Sequence, residues 1–266
     1  DEVTAHDLPV VGEIPPELTG TYLRNGPNPK DGFSHHWWFG DGMVHGIHLA
    51  AGKARWYRNR YVRTARFEGA APAPAADGED AGVARARRLR GGGSSNTHVI
   101  AHAGRLLAMV EAALPMQLDR ELSTLGAFDF GGALDTPMTA HPKRCPSTGE
   151  LHFFGYQPMP PYLTYYIADA AGRVLSKRQI EVDAPSFMHD FAITERYAVF
   201  FESPARMTRD WGQGMPFAWS DAHPARIGVV PHAGGAARWF DVEPGHLSHT
   251  ANAFERAGTI VLEGIR

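Results

Sequence analysis

Short runs of apolar and aromatic residues, separated by glycine-containing turns, recur along most of the chain. Residues 46–50 and 54–62 flank one such turn, and residues 96–102 and 106–111 flank another. Val, Ile, Phe and Tyr favour strands, and glycine permits the backbone of a tight hairpin turn. No segment shows a sustained helical period, so the pattern predicts an all-β protein. Further hairpin turns are predicted at residues 149, 169–172, 194–197, 232–235 and 256–258.

Three histidines occupy equivalent places in this pattern. His141, His189 and His249 each stand shortly before a turn that opens an apolar strand. The interval from 141 to 189 is 48 residues and that from 189 to 249 is 60 residues. Propeller blades repeat every ~40–50 residues, and their innermost strands line a central channel. We therefore expect the three imidazoles to converge on one axis of a β-propeller.

Converging imidazoles indicate a metal site. Imidazole suits zinc, copper, iron and nickel, and a ligand set without thiolate or carboxylate leaves the full charge on the ion. Glu111 ends a strand and is the candidate for a carboxylate that accepts a hydrogen bond from the second ring N–H of a metal-bound histidine. The alternative for any single histidine is a hydrogen-bonded core or turn residue, and the repeated setting favours the metal site over it.

The remaining histidines in the pattern are predicted to be structural. His98 and His102 lie four positions apart on one face of a strand and flank a turn. Four others surround a glycine-rich turn beside tryptophans. Cys145 lies in a polar, proline-flanked loop and is given no catalytic role. The four histidines of the glycine-rich region are His35, His36, His45 and His48.

One stretch interrupts the strand pattern. Residues 69–82 contain no aromatic or β-branched residue and bury too little apolar surface to offset the entropy of ordering. We expect an exposed, mobile loop over about residues 69–93. The strand pattern resumes after Gly93, so we predict a single β-propeller domain across residues 1–266 rather than a boundary.

Composition narrows the classes of function. The 266 residues include 26 Lys and Arg against 29 Asp and Glu, a net charge of −3, so no basic field attracts nucleic acid. A single cysteine excludes an intrachain disulfide. No apolar run reaches the ~18 residues of a membrane span. Motifs for a serine nucleophile elbow, a Walker loop and a zinc protease helix are also missing from the sequence.

Several motifs together resemble the carotenoid cleavage oxygenases, a family of non-haem iron(II) enzymes built on a seven-bladed propeller. They are Leu-Thr-Gly-Thr-Tyr-Leu-Arg-Asn-Gly-Pro-Asn-Pro at 18–29, Phe-Gly-Asp-Gly-Met-Val-His at 39–45, Asn-Thr-His-Val-Ile-Ala-His at 96–102, Thr-Ala-His-Pro-Lys at 139–143, His-Asp-Phe-Ala-Ile-Thr at 189–194, and His249 with Asn252 and Ala253.

The resemblance assigns roles to individual residues. It implies that His141, His189 and His249 are three of four ligands of Fe(2+), with Glu111 behind them. It also implies that the fourth histidine and the later blades follow Arg266, so that this chain holds about the first four blades. We expect such a portion to be inactive alone.

The resemblance further implies a dioxygenase that cleaves a conjugated carbon–carbon double bond to two carbonyl products. The substrates would be dioxygen and a hydrophobic polyene, either a carotenoid or an apocarotenoid. Stilbene-cleaving relatives are expected to carry a lysine near the position of Glu111, whereas here the preceding residues are the apolar Met109 and Val110. The alternatives are a stilbene dioxygenase with the same iron site, a metal-free binding scaffold and a zinc hydrolase. We expect a cytoplasmic protein in peripheral contact with a membrane, with no obligate protein partner.

Overall fold

The chain folds almost entirely into antiparallel β-sheets. A computed structural model describes residues 1–70, 78–207 and 217–265, with 44% strand and 5% helix. The all-β prediction is confirmed. The chain divides into two compact units, Asp1–Asp135 and Thr136–Arg266, and the prediction of one domain across them stays a prediction.

The first unit contains two four-stranded antiparallel sheets, with strand orders β1-β4-β3-β2 and β5-β6-β7-β8. Their apolar faces form a core that includes Val44, Ala108, Met116 and Leu122. The strands are β1 Thr4–His6, β2 Gly20–Pro27, β3 Gly42–Ala50, β4 Lys53–Tyr61, β5 His98–His102, β6 Arg105–Met109, β7 Met116–Leu118 and β8 Thr124–Ala127.

The second unit contains two further four-stranded sheets, ordered β12-β11-β10-β9 and β13-β14-β17-β18, and the two-stranded pairs β15-β16 and β19-β20. The strands are β9 Lys143–Arg144, β10 Leu151–Tyr156, β11 Leu163–Ala168, β12 Val174–Ile180, β13 Phe191–Ile193, β14 Tyr197–Glu202, β15 Ala205–Met207, β16 Phe217–Trp219, β17 Ala225–Pro231, β18 Arg238–Val242, β19 His249–Arg256 and β20 Thr259–Ile265.

Four-stranded antiparallel sheets in series are the blades of a propeller. The four sheets among the described residues correspond to the predicted number of blades, and β19 and β20 form a hairpin after them. Each predicted hairpin turn joins two paired strands, which confirms those predictions.

Three of the hairpins turn on an Ala-Gly pair. Ala103 and Gly104 both have positive φ, 50° and 74°, and so do the pairs at 51–52 and 257–258. Positive φ at both central residues gives the type I′ turn, whose twist matches that of the flanking strands. The glycine is required here, because a side chain disfavours this backbone conformation.

The core of the second unit is aromatic. Phe154, Tyr165, Phe191 and Phe200 are 0% exposed and belong to one cluster. The Phe154 ring meets Phe191 and Phe200 edge to face, with centroids 5.1 and 5.5 Å apart. Because Phe154 lies on β10 and the two phenylalanines lie on β13 and β14, these rings join the third sheet to the fourth.

The main difference from the sequence prediction is a helix, α1, at Ala81–Arg90, inside the stretch expected to be a loop. Asp80 caps it by accepting hydrogen bonds from the N–H groups of Gly82 and Val83. The arginines give it helix propensity but no apolar stripe, and only Leu89 is buried. A search for apolar periodicity therefore missed it. The other part of that stretch, residues 71–77, lies outside the described residues.

Among the described residues, no helix has the length and apolar character needed to cross a membrane. A second short helix, at Trp37–Phe39, is a single 3-10 turn.

A pair of histidines, the buried His152 and the half-buried His232, lies between β10 and the β17–β18 turn. His152 is 1% exposed, its Nδ1 lies 2.5 Å from the Tyr165 hydroxyl oxygen, and its ring centroid lies 4.5 Å from that of His232. Burial and, to a smaller extent, the charge of His232 lower the pKa of His152 from 6.5 to about 4. The folded state therefore holds this imidazole neutral.

We expect this histidine to weaken the fold in acid. Its pKa is lower in the folded chain than in the unfolded chain, so the unfolded state takes up the proton first as the pH falls from 6.5 toward 4. The free energy of unfolding should fall by roughly 2 kcal/mol between about pH 7 and about pH 5 from this group alone. Urea unfolding at several pH values measures the loss. In a His152→Gln variant, which keeps hydrogen-bonding capacity but does not titrate, the pH dependence should shrink by that amount. If the free energy of unfolding of the variant depended on pH as strongly as that of the parent protein, the effect could not be assigned to His152.

Candidate metal centre

His141 is positioned by the segment that leads into the third sheet. The Thr139 N–H donates to the Phe154 carbonyl, 2.7 Å away, and the Thr139 hydroxyl accepts from the His141 N–H at 3.1 Å. A Cβ at Gly155 would lie 2.2 Å from the Pro137 carbonyl oxygen, so glycine is what lets this segment lie against β10. His141 then stands two residues before β9, an edge strand of its sheet.

The other two histidines have the same setting. His189 lies two residues before β13, the edge strand of the fourth sheet. His249 is the first residue of β19, which pairs with β20. The equivalent settings predicted from the sequence are thus present in the structure.

The three imidazoles face one another. The Nε2 atom of His189 lies 3.1 Å from Nε2 of His141 and 3.2 Å from Nε2 of His249. The ligand atoms of all three lie within 4.8 Å of one another. Their ring planes cross at 69 to 88°, so the rings meet at their nitrogen edges rather than stacking.

These distances fit a metal ion. Two nitrogens at about 2.1 Å from one ion, at angles of about 90 to 109°, lie about 3.0–3.4 Å apart. The two measured separations of 3.1 and 3.2 Å fall in that range. The group of three histidines could hold a metal ion, and its donors are neutral nitrogens that suit a borderline transition metal.

The surroundings of His141 keep that imidazole deprotonated. Burial and the adjacent His189 together lower the pKa of His141 to about 3, while Asp190 acts in the opposite direction. His141 and His189 are half-buried and His249 is exposed. A neutral imidazole presents the lone pair that a metal requires.

The structure also places the other residues that the sequence singled out. Glu111 follows β6 in the first unit, and its predicted role behind the ligands stays a prediction. His45 and His48 lie on β3, within hydrogen-bonding distance of the Tyr57 and Thr21 hydroxyls, at 2.8 and 3.0 Å. His102 is buried on β5. Contacts of this kind fit the structural roles predicted for these histidines.

Sequence reasoning missed the polar group that adjoins the histidines. Asp190 follows His189 directly and is buried with an ion pair to Lys143, whose Nζ lies 2.7 Å from Oδ1. The available signal was the adjacency of an aspartate to a predicted ligand. Its partners Lys143 and Thr250 lie 47 and 60 positions away in sequence, so the periodicity of the sequence could not show these contacts.

Comparisons with known proteins agree with the fold. A family model described as retinal pigment epithelial membrane protein matches residues 1–266. A carotenoid cleavage oxygenase of Mycobacterium tuberculosis is 38% identical over 319 residues, covering 100% of this chain and 62% of that protein. The chain thus spans about three fifths of that relative's length.

Solved structures give the same result. The lignostilbene dioxygenase of Pseudomonas brassicacearum superimposes with a TM-score of 0.83 at 34% identity, covering 99% of this chain and 58% of that one. A cobalt-substituted apocarotenoid oxygenase of Synechocystis gives a TM-score of 0.81 at 28% identity, covering 100% and 61%. The fold class is therefore that of the carotenoid-oxygenase propellers.

The geometry predicts that His189 is required for metal binding, because its Nε2 atom is within 3.2 Å of both others. Loss of a residue that supports a metal ligand weakens metal binding by ~10–100-fold. Loss of a ligand itself should cost more, so a His189→Ala variant should weaken Co²⁺ binding by more than that range. Titration of the metal-free protein with Co²⁺ measures this. His223→Ala is the matched control, since that half-buried histidine pairs with the Ser220 hydroxyl at 2.9 Å and should leave the affinity unchanged. Equal affinities of the two variants would rule out the site.

Proposed function

The chain belongs to the retinal pigment epithelial membrane protein family, and on that premise we propose that the protein is a non-haem iron(II) dioxygenase. Its reaction is the oxidative cleavage of a conjugated carbon–carbon double bond in a carotenoid or apocarotenoid to two carbonyl products. The observation that carries this proposal is the meeting of three imidazole Nε2 atoms at 3.1 and 3.2 Å.

His141, His189 and His249 would hold the iron through Nε2. Iron(II) bound there supplies the redox chemistry that activates dioxygen toward the alkene. The protein needs no acid or base for that cleavage. A zinc hydrolase, in contrast, uses a general base beside the metal, and the titratable group adjoining the cluster, Asp190, already has both carboxylate oxygens in hydrogen bonds.

An aromatic surface beside the histidines supports a polyene substrate. The Phe187 ring lies 5.7 Å from the His189 ring. It stacks on Phe217 at 3.9 Å and on His246 at 5.0 Å. A flat, rigid and apolar chain packs favourably on such rings, which also exclude water from the alkene.

A stilbene substrate is the second candidate. It is favoured by the 34% identity and TM-score of 0.83 to a lignostilbene dioxygenase. The residues just before Glu111 argue against it, since Met109 and Val110 offer no cation to a phenol. Both candidates share the same iron site, so only the products separate them.

Carotenoids partition into membranes, so the proposal includes uptake of the substrate from a bilayer. The protein would work in the cytoplasm, in peripheral contact with that membrane.

Incubation of the iron-loaded full-length protein with a β-apocarotenal should yield two shorter carbonyl products, identified by chromatography and mass spectrometry. A hydroxystilbene should be cleaved at least tenfold more slowly in kcat/KM. The reverse preference would replace the carotenoid assignment with the stilbene one. Metal analysis is the independent check: near-stoichiometric iron supports an oxygenase, stoichiometric zinc supports a hydrolase, and no bound metal supports a binding scaffold.

A further inference from the structure

The three histidines come from three separate parts of the chain, and each stands at the start of an edge strand. Because 48 and 60 residues separate these histidines in sequence, chain connectivity alone cannot fix their relative positions. An edge strand also pairs on one side only, which leaves some of its backbone N–H and C=O groups without partners in the sheet. An additional interaction must therefore hold these three chain segments together if the Nε2 atoms are to stay within bonding distance of one point.

Asp190 makes that interaction. Its carboxylate is 3% exposed. Oδ1 accepts from the Lys143 ammonium at 2.7 Å and from the Phe191 N–H at 2.8 Å. Oδ2 accepts from the Thr250 N–H at 2.9 Å. The Thr250 hydroxyl shares its one hydrogen between Oδ2, 3.0 Å away, and the Phe191 carbonyl oxygen, 2.9 Å away.

Each partner adjoins a different histidine. Lys143 lies two residues after His141, Asp190 lies one residue after His189, and Thr250 lies one residue after His249. We propose that Asp190 is the positioning residue of this centre, a single carboxylate that ties the three histidine-bearing segments together. The inference rests on the proposed function in assigning a metal to the histidines.

The chemistry of the site requires a carboxylate. Three N–H donors and the shared Thr250 hydroxyl converge on the two oxygens, and an ionised carboxylate only accepts. An asparagine of the same shape would turn an NH₂ group toward either Lys143 or Thr250, where it would meet another donor. Hydrogen bonds to a buried charge are also shorter and stronger than neutral ones, so this group resists spreading of the segments more than an amide does.

The experiment compares four variants in the metal-free protein titrated with Co²⁺. Asp190→Asn should weaken the Kd for Co²⁺ by about 10–100-fold, the range for residues that support metal ligands, and should alter the visible absorption spectrum of bound Co²⁺. Thr250→Val loses the hydroxyl contacts with Asp190 and the Phe191 carbonyl but keeps the N–H bond to Asp190, and it should weaken binding less. Thr250→Ser keeps the hydroxyl and should restore the parent affinity and spectrum.

The fourth variant, Glu202→Gln, is the matched control. Glu202 is a fully buried carboxylate in the same unit whose oxygens bind Arg206 and Arg226. Its loss should lower the thermal unfolding temperature without changing the Kd or spectrum of Co²⁺. An unchanged Kd and spectrum in Asp190→Asn, or an equal loss of affinity in Glu202→Gln, would overturn the positioning role.

A crystal structure of metal-free Asp190→Asn separates this inference from the proposed function. If the parent protein binds no Co²⁺, the oxygenase proposal fails. The positioning role still predicts that the Nε2 atoms move apart from their separations of 3.1 and 3.2 Å in the variant. Unchanged separations would overturn it.

Discussion

Three imidazole nitrogens within about 3 Å of their neighbours are an unfavourable arrangement in the absence of a cation, because their lone pairs or their protons face each other. The second unit nevertheless holds His141, His189 and His249 in that arrangement, with Nε2 separations of 3.1 and 3.2 Å. The rest of the unit has to supply the rigidity that keeps the rings together. Two features supply it, namely an aromatic core and a buried carboxylate.

The core reaches the site through adjacent residues. Phe191, a member of the aromatic cluster, immediately follows Asp190 and lies two residues after His189. Its ring is held between Phe154 of β10 and Phe200 of β14, with centroids 5.1 and 5.4 Å away. Well-packed rings of this kind move little, since displacement would open a void at a cost of several kcal/mol. The backbone that carries His189 is therefore fixed at its C-terminal side.

How much of this could be read from the sequence depends on how local each feature is. The Ala-Gly hairpins were predictable because each glycine tolerates positive φ and stands between two apolar runs. The histidines were predictable because the same local setting occurs three times. The helix at Ala81–Arg90 was missed because its arginines leave no apolar stripe. The Asp190 contacts join residues that are distant in sequence, and only folding brings them together.

The Asp190 contacts also explain why the centre is made of neutral ligands. A carboxylate next to His189 could itself have bound the metal, as in sites with two histidines and one carboxylate. Here its oxygens are already occupied by Lys143, the Phe191 N–H and Thr250. The ammonium of Lys143 balances the negative charge of the aspartate, so the pair adds little net charge beside the histidines. A bound divalent ion would then keep its full charge, and the neutral imidazoles would leave it strongly electrophilic. The same carboxylate thus positions the ligands while it is prevented from becoming one.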